Sequence, residues 1–176
     1  MHMTLLLLED DLYDVKELQQ AVGEFDDCTD REGRKWRFGL EYLSGDKEKS
    51  PDGKYQDYDE KIFLKIQDRI DRQTEEEKVG VLLDVMLNAA ERESGKKLYS
   101  YPEARLASEI YKKFCDSVPI YAITSIPHFY MQCQRIMMGV NMSDRFIYKP
   151  ILLEYKVKSE ITKLQDYYVN WTGEKH

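Results

Sequence analysis

The sequence contains little cysteine, proline or glycine, the residues that are abundant in disulfide-rich and collagen-like proteins. Its 176 residues include 3 cysteines, 5 prolines and 9 glycines. Cys28, Cys115 and Cys133 lie far apart and form no CxxC spacing. An odd number of scattered cysteines argues against a disulfide framework and a zinc site, and it favours a reducing compartment, so we expect a cytoplasmic protein. The composition also excludes a collagen-like chain, a coiled coil and a disordered chain.

Long hydrophobic runs and an excess of positive charge are missing as well. The apolar run at residues 5–8 is far too short to span a bilayer, and no basic region precedes it as in a signal peptide. The chain carries 26 basic and 33 acidic residues, a formal net charge of −7. A negative protein does not attract nucleic acid or anionic membranes non-specifically. We therefore expect neither nucleic acid nor membrane as a partner.

The length and the hydrophobic content indicate one domain over residues 1–176. The chain is 42% hydrophobic and 34% charged, which fits a packed core that carries some very polar surface segments. Two such segments, residues 44–58 and 88–101, are rich in charged and small residues. We expect both to be loops, and the first to be a solvated one.

Short apolar runs alternate with amphipathic stretches along the whole chain. Residues 4–8, 36–43, 79–84, 118–123 and 145–148 have the pattern of strands. Helical spacing follows each strand, at about residues 12–25, 59–70, 102–114, 128–138 and 152–168. Strands separated by helices must be parallel and covered on both faces. The sequence therefore predicts a doubly wound α/β domain with a five-stranded parallel sheet and helices on both faces.

Chemically active residues follow four of the predicted strands. Glu9 and Asp10 follow the first strand, Asp84 ends the third, Thr124 follows the fourth and Lys149 follows the fifth. In doubly wound sheets the site lies at these carboxyl ends. Three neighbouring carboxylates repel each other, so the cluster predicts a bound cation, and oxygen ligands favour Mg²⁺ before Ca²⁺ or Mn²⁺.

The remaining groups at these strand ends suit a phosphoryl group. Lys149 supplies a positive charge and Thr124 a hydroxyl donor for phosphate oxygens. Asp84, on the middle strand, is placed to act as a nucleophile and to form an aspartyl-phosphate. The sequence contains no P-loop and no GxGxxG motif, which argues against nucleotide hydrolysis and dinucleotide redox chemistry.

These residues carry a family resemblance. The letters ED at 9–10, DVML at 84–87, ITS at 123–125 and YKP at 148–150, in this order, resemble the receiver domain of two-component response regulators. The resemblance implies a flavodoxin-like sheet of order 2-1-3-4-5. It also implies that Mg²⁺ is held by Glu9, Asp10, Asp84 and the backbone carbonyl of Met86.

The resemblance further implies a signalling function rather than an enzyme. Asp84 would accept a phosphoryl group from a histidine kinase or a phosphotransfer protein, while Thr124 and Lys149 would bind it. Phe146 stands where receivers often carry an aromatic switch residue. The chain would then act through a downstream protein partner that the sequence does not identify. The sequence is also compatible with a homodimer.

Some positions depart from the family pattern. Asn88 replaces the proline that usually lies four residues after the acceptor, and the loops at 44–58 and 88–101 are longer than in minimal receivers. One alternative is therefore a receiver-shaped interaction module that works without phosphorylation. Another is a haloacid-dehalogenase-like phosphatase, but its second acid would stand where this chain has Met86.

Taken one at a time, the same residues also have structural explanations. The acids at 9–11 suit a helix N-terminus, Thr124 suits a strand end or a cap, and Lys149 suits a solvated surface. Phe146 suits a core position by its spacing. The functional interpretation therefore depends on the whole set meeting at one place.

Overall fold

The computed structural model describes residues 1–45, 58, 61–85, 87, 102–125 and 145–173. Its strands are β1 (His2–Leu8), β2 (Cys28–Thr29), β3 (Lys35–Tyr42), β4 (Glu77–Asp84), β5 (Ile120–Thr124) and β6 (Phe146–Tyr148). Its helices are α1 (Leu12–Gly23), α2 (Lys61–Asp71), α3 (Pro102–Phe114), α4 (Lys149–Leu153) and α5 (Lys158–Val169). The predicted helix at about residues 128–138 lies outside the described residues.

The strands form one mostly parallel sheet, which confirms the α/β class. The order is β2-β3-β1-β4-β5-β6, and every pairing is parallel except that of β2 with β3. The predicted count of five strands and the order 2-1-3-4-5 are therefore wrong for this sheet, because β2 adds an antiparallel edge strand. The five strands predicted from the sequence correspond to β1, β3, β4, β5 and β6.

A tight turn brings the additional strand onto β3. The Asp30 carboxylate accepts hydrogen bonds from the backbone N–H groups of Glu32 and Arg34, at 3.0 Å and 2.9 Å. Gly33 adopts a φ of 81°, a conformation that costs glycine little. With only two residues, β2 is too short to show the alternation by which strands are recognised in a sequence.

The central strand β1 is apolar because it is covered on both faces. It pairs with β3 on one side and β4 on the other, so that Leu7 is opposite both Tyr42 and Leu82. Side chains of successive residues point to opposite faces, so a strand with two covered faces needs a continuous apolar run. The run at residues 5–8 meets that need, and all four leucines are 0% exposed.

Helices cover both faces of the sheet, as predicted. On one face Ile66 of α2 and Ile110 of α3 belong to a core with the β1 residue Leu6. On the other face Leu18 of α1 and Leu164 of α5 belong to a core with Leu5. None of the described helices is long and apolar enough to cross a membrane.

The helix predicted at about residues 152–168 is instead two helices. α4 ends at Leu153 and α5 begins at Lys158, and between them Lys156 adopts a φ of 44°. A left-handed conformation at a residue other than glycine costs roughly 1–2 kcal/mol and is uncommon. The sequence here carries no glycine or proline to signal the break, so a single helix was predicted.

The two enlarged loops are only partly covered by the structure. Residues 88–101 lie outside the described part of the chain, and so do residues 46–57 of the first loop. Tyr58, at the end of the first loop, is 0% exposed. The prediction of a solvated loop is therefore wrong at this residue.

Candidate functional site

The fold brings the predicted strand-end residues to one edge of the sheet. Glu9 and Asp10 follow β1, and Asp84 ends the neighbouring strand β4. Ile123 of β5 is opposite Asp84, and Thr124 is opposite Tyr148 of β6. Lys149 then follows β6 directly as the first residue of α4. The parallel register thus places four consecutive strand ends side by side.

Three buried carboxylates form the centre of this edge. Glu9, Asp10 and Asp84 are 0%, 6% and 3% exposed. One carboxylate oxygen from each lies within 4.8 Å of the other two. Oxygen ligands at this separation fit a hard divalent cation such as Mg²⁺, which takes one or two carboxylates and keeps several waters. The residues present therefore could hold a metal ion.

The Lys149 ammonium lies among the carboxylates. Its Nζ donates to Glu9 Oε2 at 2.5 Å and to Asp84 Oδ2 at 2.9 Å. A third hydrogen bond goes to Asp14 Oδ2 in α1, at 2.9 Å. The Lys149 side chain is 4% exposed, so its ion pairs with Glu9 and Asp84 are buried, whereas the Asp14 side chain is 19% exposed. The structure therefore contradicts the explanation of Lys149 as a solvated surface lysine.

Burial and charge shift the pKa values of this group. Burial, with the negative charge of Asp84, raises the pKa of Glu9 although Lys149 acts in the opposite direction. Burial alone would lower the pKa of Lys149, but the charges of Asp84 and Glu9 outweigh it and raise the pKa. Lys149 therefore stays cationic beside these carboxyl groups.

Thr124 lies at the end of a strand and Phe146 lies within one, as predicted from the sequence. Thr124 is 1% exposed at the end of β5, on the same edge of the sheet as Asp84. Phe146 is 6% exposed and belongs to the core on the face of α2 and α3. Its role as a switch stays a prediction. Met86, whose carbonyl was predicted as a metal ligand, lies outside the described residues.

Two residues at the site were not predicted from the sequence. Asp14 was not singled out as a site residue, yet it contacts Lys149. Tyr58 was placed in the solvated loop, yet its hydroxyl contacts the backbone of Glu9. Asp14 lies in the first turn of α1, shortly after the end of β1, and that position was a usable signal. Nothing comparable marks Tyr58.

In comparisons with known proteins, no family model, no curated protein and no solved structure matches the chain. The argument for a function therefore depends on the geometry of the strand ends.

Proposed function

We propose that the chain is a phosphoacceptor signalling protein of the receiver type, in which Asp84 takes a phosphoryl group from a phosphohistidine. One observation carries the proposal. The Asp84 carboxylate ends a central strand, shares a buried cluster with Glu9 and Asp10, and is bonded to Lys149 at 2.9 Å. A nucleophile, a candidate cation site and a fixed positive charge thus meet at one carboxylate.

The transfer needs little from the protein beyond placement and charge. An Asp84 carboxylate oxygen attacks phosphorus, an O–P bond forms, and the N–P bond to the donor histidine breaks. The imidazole nitrogen keeps the electron pair of the broken bond. Lys149 stabilises the negative charge of the phosphoryl oxygens, and the Thr124 hydroxyl donates a hydrogen bond to them.

Glu9, Asp10 and Asp84 would hold Mg²⁺, with the Met86 carbonyl as a further ligand. When bound, the cation neutralises charge on the carboxylates and on the incoming phosphoryl oxygens. The donor would be a cytoplasmic histidine kinase or a phosphotransfer protein. The product exchanges the carboxylate for a doubly charged group, and this change of charge is what a protein partner would detect.

Intact mass tests the proposal. The chain is incubated with Mg²⁺ and acetyl phosphate, and we expect one added phosphoryl group that is lost in Asp84→Asn and in a chelator. Asp30→Asn is the matched control, because it changes a buried aspartate outside the strand-end cluster. An adduct that persists in Asp84→Asn would contradict the assignment of the acceptor.

One observation favours a second function, that of an interaction module which needs no phosphorylation. Lys149 already supplies a cation to Glu9, Asp14 and Asp84. If this ion-pair network serves only stability, Mg²⁺-dependent beryllofluoride binding should be absent. Asp84→Asn should then leave partner binding unchanged, whereas a loss of partner binding would exclude the module.

A further inference from the structure

The Tyr58 hydroxyl lies between the carboxyl ends of β1 and β3. It accepts a hydrogen bond from the Glu9 backbone N–H at 3.1 Å. Two carbonyl oxygens are within reach of its proton, that of Leu43 at 2.8 Å and that of Glu9 at 3.0 Å. The residue is 0% exposed, so water does not compete for these bonds.

The Tyr58 hydroxyl replaces one backbone hydrogen bond between the ends of β1 and β3. The last direct bond between these strand ends runs from Leu43 N–H to the Leu7 carbonyl, at 3.0 Å. In a regular parallel ladder the next bond would join Glu9 N–H to the Leu43 carbonyl. Instead, Glu9 N–H donates to Tyr58, and Tyr58 donates to Leu43. A side chain from 49 residues further along therefore fixes the backbone of Glu9.

We propose that Tyr58 is a positioning residue, which sets the place of the Glu9 carboxylate in the cluster by fixing the Glu9 backbone. Glu9 has its carboxylate against Lys149 at 2.5 Å and within 4.8 Å of the ligand atoms of Asp10 and Asp84. A small shift of its backbone therefore changes all of these contacts. The end of the enlarged loop at 44–58 is thus part of the site. Its use for Mg²⁺ binding rests on the function proposed above.

Tyr58→Phe tests the inference, because it removes the hydroxyl and keeps the ring. Tyr168→Phe is the matched control: Tyr168 is 2% exposed and its hydroxyl donates to the Val81 carbonyl, in the core on the face of α1 and α5. Mg²⁺ affinity is measured by calorimetry. Loss of a residue that orients a metal ligand weakens binding by about 10- to 100-fold, and we expect this loss in Tyr58→Phe only. Equal affinities in the two variants would overturn the inference.

A second measurement does not need the metal. If the unmodified chain binds no Mg²⁺, the proposed cation site fails, and a double-mutant cycle alone decides the role of Tyr58. Tyr58→Phe and Glu9→Gln are combined, and urea unfolding is measured in a chelator. Residues in contact give non-additive effects. We expect the unfolding constant of the double variant to depart by more than about twofold from the product of the single effects. Purely multiplicative effects would overturn the inference.

Discussion

Lys149→Met removes the positive charge around which the site is built. The side chain is 4% exposed and contacts carboxylate oxygens at 2.5 Å, 2.9 Å and 2.9 Å. At about 3 Å and an effective dielectric of 20, one such pair attracts by about 6 kcal/mol before the cost of desolvation. Methionine has a similar length and no charge. The variant therefore leaves Glu9 and Asp84 buried without their counter-charge.

We expect the free energy of unfolding of Lys149→Met to fall by about 3–5 kcal/mol, the usual cost of removing one partner of a buried ion pair. Urea unfolding in a chelator, followed by circular dichroism, measures this change. The control is Lys156→Met, because Lys156 pairs with Glu24 and both side chains are about half exposed. We expect a much smaller loss there, because water and salt screen an exposed ion pair.

Adding Mg²⁺ should then reduce the difference in the free energy of unfolding between Lys149→Met and the unmodified chain. The three carboxylates within 4.8 Å remain, and the ammonium no longer competes for them. A ligand at 100 times its dissociation constant stabilises the folded state by about 2.7 kcal/mol. A loss in the chelator no larger than that of Lys156→Met would refute the reasoning, since Lys149 would then not be a buried counter-charge.

Two further predictions concern residues outside the site. Burial alone would raise the pKa of Asp30, but hydrogen bonds from Trp36 and Arg34 outweigh it and lower the pKa to about 2. Asp30 therefore contributes stability that is present above about pH 4 and is lost as the pH falls towards about 2. Urea unfolding across this range should show that Asp30→Asn removes this part of the acid sensitivity, and an unchanged pH slope would contradict it. Gly80→Ala would place a Cβ 2.5 Å from the buried Tyr168 ring. We expect this overpacking to cost about 1–3 kcal/mol in urea unfolding, and a stability equal to that of the unmodified chain would show that the ring can move.

The central part of the fold was predictable because burial determines its sequence pattern. Residues 5–8 and 79–83 are continuous apolar runs, and the structure places them in β1 and β4, where both faces are covered. The missed elements have no such pattern. β2 is two residues long, and the break before α5 depends on the left-handed Lys156. A strand of two residues shows no alternation, and no glycine or proline in the sequence marks the break before α5.

The candidate site was predictable as a set of strand ends and not as a set of contacts. Parallel strands must end at one edge, so Glu9, Asp84 and Lys149 were expected to meet there. The rule does not say which carboxylates the lysine contacts, and Asp14 was therefore missed. Tyr58 is harder still, because its place in the β1–β3 ladder depends on a loop whose path no short pattern predicts.

The position of β1 in the sheet also bears on how the chain folds. Of the six described strands this one is synthesised first, yet it pairs with β3 about 35 residues later and with β4 about 75 residues later, as in His2 with Arg37 and Glu77. Pairing over such separations slows folding, because the chain loses the entropy of loop closure before it gains the stabilising strand contacts. Until β4 has left the ribosome, one edge of the leucine-rich strand has no partner. Among the described strands, the leucine-rich β1 thus has the longest interval of synthesis before its second neighbouring strand, β4, is available.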